Sequence, residues 1–559
     1  MQNIVTRKIK DSLRNDLTKA LLNSRDQGLL SIQDFPEIIL EIPKDKANGN
    51  YATNLAMVLT KQIKKPPREI AQIIIEQLPA NPYLADIKVA GAGFINFYLN
   101  KLWLGEVIES ILEDKDDFGR SQDLAGLIVQ IEFVSANPVG PMNVVNARAA
   151  ALGDSLGRLF STCGAEVQRE YYVNDHGVQV WTLGRSIDAR YRELLGQSVE
   201  FPEDGYQGEY IYDMARALIA DKQDYYLQFP EEKRIEIFRD LGYQQILASQ
   251  KTDLANYGVN YDCWFSERGL HQDGTVAKVM QDLMDKGLTY EADGALWLRT
   301  TGFGDDKDRV LQTADGRTTY FTSDIAYHLN KFSRGFHKVI DIWGPDHHGY
   351  IPRMKAAMAA VGIDPDRLEV LIAQQINLLK EGQPFKMSKR RGEFITMTDL
   401  LEDVGNDAAR WFFLMRSPES HLDFDLDLAK SQTNENPVFY VQYAFARICS
   451  IFRQAGAEQL AFGSSRELIQ HWDDEEALLI EKAAHFPDLI SETAKRREPH
   501  RLTGYLLELA TLFHSYYNRR RFISEELETT RARLAVAEGL GHIFKHGLEI
   551  LGVSAPERM

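Results

Sequence analysis

The strongest constraint on how this chain folds lies between Ala125 and Val173. AGLIVQIEFV (Ala125–Val134) is a largely apolar run, the pattern of a strand buried on both faces. A loop, Ser135–Met142, follows. Ala149, Leu152, Leu156 and Leu159 then recur at steps of three and four, which marks one face of a helix, with Gly164 placed to stop it. Glu166–Val173 predicts a second strand. A strand, a helix and a strand in so short a span form a βαβ unit, and the fold class this predicts is α/β with a Rossmann-like parallel sheet.

The rest of the chain cannot belong to one such unit. At 559 residues it predicts three or four domains. The first hundred residues read as a small α/β unit: a helix from Ile4 to Leu22, a strand-like Glu37–Ile42, turn chemistry at Gly49–Asn54, helices over Asn54–Ile63 and Pro67–Leu78, and a glycine-broken turn leading into a strand within Val89–Leu99. Residues from about 180 to 290 are mostly helical and polar and look like an insertion; sheet-like segments return at Ala295–Arg299, Val339–Trp343 and Leu368–Ile376. From Asn434 the pattern is helical to the end.

Composition narrows the class. Hydrophobic residues at 44% and charged residues at 26% fit a globular protein. No apolar run approaches the roughly 20 residues of a membrane span, and the N-terminus has no continuous apolar stretch of the signal-peptide kind. Cys163, Cys263 and Cys449 are too scattered to form a metal cluster, so a reducing cytoplasm is the simplest setting. A net charge of −17 argues against a generic nucleic-acid coat but leaves room for local basic patches such as Lys386–Arg391.

The βαβ unit carries neither G-x-G-x-x-G nor G-x-x-x-x-G-K-[ST], which argues against a dinucleotide dehydrogenase and a P-loop NTPase. Asn137, Pro138, Gly140 and Pro141 shape a tight loop at the strand end, before a helix N-terminus that would attract phosphate; an ordinary βα loop is the alternative. Gln130 and Glu132 share one face of the apolar strand. A buried carboxylate needs a partner, either a structural arginine or a cationic ligand. Tyr320 and Asp324 stand four apart and face one way on a helix. With Glu132 they could frame the fork of acceptors a guanidinium wants, although spacing alone leaves this open.

PFKMSKRRGEF (Pro384–Phe394) resembles the second signature loop of class I aminoacyl-tRNA synthetases, and Ser135–Leu156 then resembles the first, a His-x-Gly-His box after a strand. GNYATN, AGAGFINF, EFVSANPVGP, YYVNDHGVQ, YFTSDIAYH, WGPDHHGYIPRMKAA, FDLDLA, ENPVFYVQYAFARI and LGVSAPERM resemble, in order, blocks of the arginyl-tRNA synthetases across nearly the whole chain. The resemblance implies an N-terminal tRNA-binding domain (1–115), a catalytic domain with its insertion (116–385), a signature loop and connector (386–433) and a helical anticodon-binding domain (434–559). It implies that Glu132, Tyr320 and Asp324 clasp the arginine guanidinium and that Asn137 helps hold its amino-acid end, with Asn174, Asp175 and Gln179 nearby. Pro138, Gly140, Val145, Asp346, His347, Met387 and Ser388 fall on the ATP side, and Lys386 and Lys389 would meet the phosphates. Tyr440, Tyr443, Arg447 and Asn54 fall in blocks that face tRNA. The implied partners are L-arginine, ATP with Mg2+ as a substrate complex, and tRNA(Arg), with no tightly bound cofactor, no membrane and a monomer as the default.

The chain departs from the family pattern at one box. Asn143 and Asn146 replace its histidines and Val145 its glycine; Ala149 stands where a glycine is common, Phe445 replaces a histidine, and Asn50 an aspartate. Each asparagine can donate a hydrogen bond but forfeits a charge-assisted one, about 1–2 kcal/mol apiece. Val145 would overpack the adenine site by ~1–3 kcal/mol or displace the base. Three readings stay open: an arginine–tRNA ligase, a tRNA- or arginine-binding relative impaired in activation, and an ATP-dependent small-molecule enzyme that would leave both terminal domains unemployed.

Overall fold

The computed structural model describes residues 4–385, 396–456 and 462–559. Its centre is a five-stranded parallel sheet in the order Leu368–Ile372, Lys338–Trp343, Ile128–Glu132, Glu166–Val173, Cys263–Ser266. The βαβ unit stands as expected. Ile128–Glu132 and Glu166–Val173 are adjacent, joined by the signature helix Val144–Thr162. That helix lies close against the sheet at Gly153, where a Cβ would fall 2.1 Å from the Phe133 ring, so only glycine fits. Gly164, at φ +90°, ends the turn beyond it.

Several expectations are corrected. Glu37–Ile42 is not a strand; Glu41 makes only an isolated bridge to Ala52. Within GNYATN, Tyr51–Thr53 is a strand rather than a turn, because it pairs antiparallel with Phe94–Leu99. Leu84–Ala90 also pairs with Phe94–Leu99, so the glycine turn joins two strands of a hairpin. The helical stretch 180–290 conceals the fifth strand, Cys263–Ser266, whose four residues are too few for periodicity to register. The sheet-like Ala295–Arg299 is a strand over Ala295–Leu298, in a separate antiparallel sheet with Thr289–Ala292 and Arg309–Gln312. Leu368–Ile376 splits: Leu368–Ile372 joins the central sheet, while Ile376–Lys380 pairs with Leu422–Asp425.

From Pro437 onward the described residues are mostly helical and pack into a bundle with long helices Pro437–Ala455, His500–Arg519 and Leu527–Leu551. The bundle is fastened to the sheet by the buried Arg410, which donates to Leu551 O at 2.8 Å and to Asp154 Oδ2 on the signature helix at 2.5 Å. Arg7 fastens the N-terminal helix Val5–Asp26 to both, pairing with Asp123 at 2.7 Å and Asp488 at 2.8 Å. No helix among the described residues is long and apolar enough to cross a membrane.

Candidate functional site

The site forms at the carboxyl ends of the sheet, where open α/β sheets hold their ligands. The strand Ile128–Glu132 leaves the sheet through Val134 and Ser135, at φ +71° and +40°. A β-branched residue there is strained, and such strain persists only where neighbours fix it. Ser135 Oγ donates to Glu132 Oε1 at 2.8 Å and accepts from Tyr172 N at 3.1 Å. The Tyr171 and Tyr261 hydroxyls donate to the carbonyls of Ala136 and Phe133. Beyond the bend, Asn137 Nδ2 donates to Gln179 Oε1 at 2.7 Å, so these two candidates meet. Gly140 packs under Tyr210, whose hydroxyl donates to Val139 O, and the carbonyls of Asn137 and Gly140 both accept from Gln250. Pro138 is buried in the same loop.

The helix Tyr320–Ser333, here called the pocket helix, brings Tyr320 and Asp324 to one side. Tyr320 is 58% exposed. Asp324 accepts from the Tyr350 hydroxyl at 2.6 Å, and burial pushes its carboxyl up, with Glu132 and Asp341 adding repulsion. Glu267, which the sequence reading did not single out, is buried at the start of the helix Glu267–Gln272. Burial, then repulsion from Asp324 and Asp175, lifts its carboxyl to about 7. Asn174, with its amide turned to suit its neighbours, donates to Glu267 Oε2 at 2.8 Å. His271 comes within 3.8 Å, but burial and the stacked His176 hold it toward its neutral form. Glu267, buried, and Asp324, half-buried, are thus two carboxylates with no lysine or arginine paired to either among the described residues. Asp175 has a supporting role. It accepts from Ser266 Oγ at 2.7 Å and from Arg268 N at 2.9 Å, which sets the start of Glu267's helix.

Glu132 differs from these two. It is 8% exposed and already carries a cation: Lys331 Nζ donates to Glu132 Oε2 at 2.5 Å and to Asp341 Oδ1 at 2.7 Å. The partner of the buried strand carboxylate is therefore a lysine of the pocket helix, in place of the arginine or ligand considered from sequence.

Asn143 and Asn146 cap the signature helix. Asn143 Oδ1 accepts from Val145 N at 2.9 Å and Asn146 N at 3.1 Å, while Asn146 Oδ1 accepts from Asn143 N at 2.9 Å. Their side-chain oxygens are spent on the helix, so only the amide NH2 groups face outward as donors. Val145, half-buried, occupies the second helical position, and Ala149 is buried one turn further on. Asp346 and His347 lie exposed on the short helix Pro345–Tyr350. Lys386, Met387, Ser388 and Lys389 lie outside the described residues.

In the C-terminal bundle, Tyr440, Tyr443 and Arg447 gather around His514. Tyr440 and His514 rings are 4.4 Å apart, Arg447 Nη1 meets His514 Nδ1 at 3.0 Å, and the Arg447 guanidinium lies 4.3 Å from the Tyr443 ring centre. Phe445 is buried. Asn54 precedes the helix Leu55–Ile63 without capping it, and Asn50 bridges to Glu481 of the bundle at 3.2 Å.

Three family models match the chain in succession: the arginyl tRNA synthetase N terminal domain over residues 7–99, the class I (R) tRNA synthetase catalytic domain over 107–415, and the DALR anticodon binding domain over 441–559. The arginine–tRNA ligase of Geobacillus kaustophilus is 46% identical over 99% of both chains. That of Caldanaerobacter subterraneus subsp. tengcongensis is 47% identical over the full length of both. The Thermus thermophilus arginyl-tRNA synthetase structure shares the fold, with a TM-score of 0.74 at 22% identity over 98% of this chain and 100% of that one. The three domain matches in this order, together with relatives 46–47% identical over essentially the whole chain, place the chain in the arginyl-tRNA synthetase family, the class I arginine–tRNA ligases.

Proposed function

We propose that this chain activates L-arginine with Mg-ATP and passes the arginyl group to tRNA(Arg), with Asp324, Glu267 and Tyr320 receiving the guanidinium. One observation carries the reading: buried Glu267 and half-buried Asp324 stand close together without a lysine or arginine partner among the described residues, an arrangement that costs stability until a cation arrives. A planar guanidinium can donate to both carboxylates at once. Asn137, held by Gln179, is placed to orient the amino-acid end, and Glu132 braces the bend that carries it.

The arginine carboxylate attacks the α-phosphorus of ATP and pyrophosphate leaves; a terminal ribose hydroxyl of tRNA then attacks the arginyl-adenylate carbonyl, taking the arginyl group as AMP leaves. The protein's part is alignment and charge stabilisation rather than covalent chemistry. Lys386 and Lys389, with Met387 and Ser388, would serve the phosphates; Pro138, Gly140, Val145, Asp346 and His347 would line the nucleotide. Residues 1–115, with Asn54, and residues 434–559, with Tyr440, Tyr443 and Arg447, would hold the tRNA. The setting we propose is the cytoplasm, and the working form a monomer.

The capping box supports a second reading, in which the chain binds arginine and tRNA but activates poorly, since both asparagine oxygens serve the helix. Arginine-dependent ATP–pyrophosphate exchange with tRNA(Arg) separates the two. Exchange above an enzyme-free blank is the expected result. Arginine and tRNA binding with exchange at the blank level would select the second reading.

A further inference from the structure

Beneath the pocket, the register of the sheet sets Asp341, Glu132 and Glu170 side by side on three neighbouring strands. The pocket helix answers this acidic row. His328 Nε2 meets Asp341 Oδ2 at 2.7 Å, while Tyr327 and Arg334 donate to Glu170. Lys331, wholly buried, bridges Glu132 and Asp341, and its ammonium lies 4.3 Å from the centre of the Tyr327 ring. Its donors are engaged by two carboxylates and a π-face. His328 Nδ1 also meets the Asp324 carbonyl at 2.7 Å, so the row is joined to the backbone of the pocket itself.

Arginine and lysine side chains carry equal charge, so an acidic field alone separates them poorly. They differ in shape: one is a planar fork, the other a compact, strongly hydrated point charge. A compact cation is accepted where closely spaced oxygens stand free to replace its water. Here the closely spaced oxygens of Glu132 and Asp341 are filled by an ammonium belonging to the protein.

We propose that Lys331 is a specificity-positioning residue, whose ammonium occupies the Glu132–Asp341 acceptors against a lysine-like substrate and leaves only Asp324 and Glu267 open, to a guanidinium. This rests on the arginine-binding reading above. Calorimetric titration of the full chain with arginine and, separately, lysine tests both. A wild-type chain that binds no arginine overturns the underlying reading. With arginine bound by the wild type, Lys331→Met is expected to raise lysine affinity roughly tenfold or more and narrow the preference for arginine. An unchanged preference in a variant with wild-type near-UV circular dichroism overturns the proposal. Because one buried charge removed can unfold a protein, the neutral pair Glu132→Gln with Lys331→Met is the companion. Its lysine affinity is expected at or below the wild-type level, since the Glu132 carboxylate is gone and Asp341 keeps His328 as its partner; lysine affinity above wild type in this pair overturns the proposal.

Discussion

Asn143 pairs with Thr396 across an antiparallel bridge, and next to it Met397 N donates to Met142 O at 2.9 Å. The first signature box is thereby tied to the residue that follows directly on segment 386–395. Thr396 itself caps the helix Met397–Val404, accepting from Asp399 N at 3.0 Å. Two helix starts therefore meet at one point, each held by its own capping box.

Restoring the family box should trade stability for rate. In Asn143→His, Val145→Gly, Asn146→His, the asparagine cap is lost, at about 1 kcal/mol, and a glycine enters the first turn, at about 0.5–1 kcal/mol. Thermal unfolding should fall by several degrees while arginine-dependent exchange rises by at least tenfold. An exchange rate unchanged from wild type would show that the cap, and not the lost imidazoles, is what this box supplies.

The two unpaired carboxylates should dominate arginine binding. Asp324→Asn and Glu267→Gln each remove one partner of a desolvated charge pair, worth about 2–5 kcal/mol, so affinity should fall roughly 30-fold or more. Tyr320→Phe, at an exposed position, should cost far less. Isothermal titration with arginine decides the matter, and wild-type affinity in Glu267→Gln would remove that residue from the pocket.

The position of Glu267 gives a pH signature. Its folded-state carboxyl is raised from the ordinary 4.5 to about 7. The ligand-free fold accordingly loses this group's contribution as pH rises between those values, because the unfolded chain gives up the proton first. Arginine, needing the ionised form, should bind more tightly as pH rises through 7. The arginine-induced shift in melting temperature should be larger at pH 8 than at pH 6. A shift independent of pH, or larger at pH 6, would contradict this.

The packing of the signature helix on the sheet predicts a strict requirement at Gly153. Gly153→Ala puts a methyl 2.1 Å from Phe133, well inside contact distance. The cost should exceed the ~1 kcal/mol that alanine gains in helix propensity, with overpacking of about 1–3 kcal/mol or more. Phe133→Leu added to it should restore part of the loss in urea unfolding. A more stable Gly153→Ala variant would mean the helix does not sit this close.

Tyr320 and Asp324 were legible because a helix repeats every 3.6 residues, so four positions apart means one face. Glu132 was legible because a carboxylate in an apolar strand must be compensated. Glu267 was not, since it follows a strand of only four residues inside a stretch dominated by helical pattern. The Tyr51–Thr53 strand was read as a turn for a related reason: three residues rich in small and polar neighbours pair only because Phe94–Leu99 lies beside them.

The linear order of residues determined the βαβ unit, the helical C-terminal domain and the family, because periodicity and motif spacing are local properties of a chain. Which carboxylate is already neutralised and which stands without a lysine or arginine partner was decided only in three dimensions. Glu132 and Asp324 are alike on paper, two acids among apolar neighbours. They part because Lys331, nearly 200 positions from Glu132, folds its ammonium onto that one, and a buried charge takes its character from what stands within a few ångströms rather than from what precedes it in sequence.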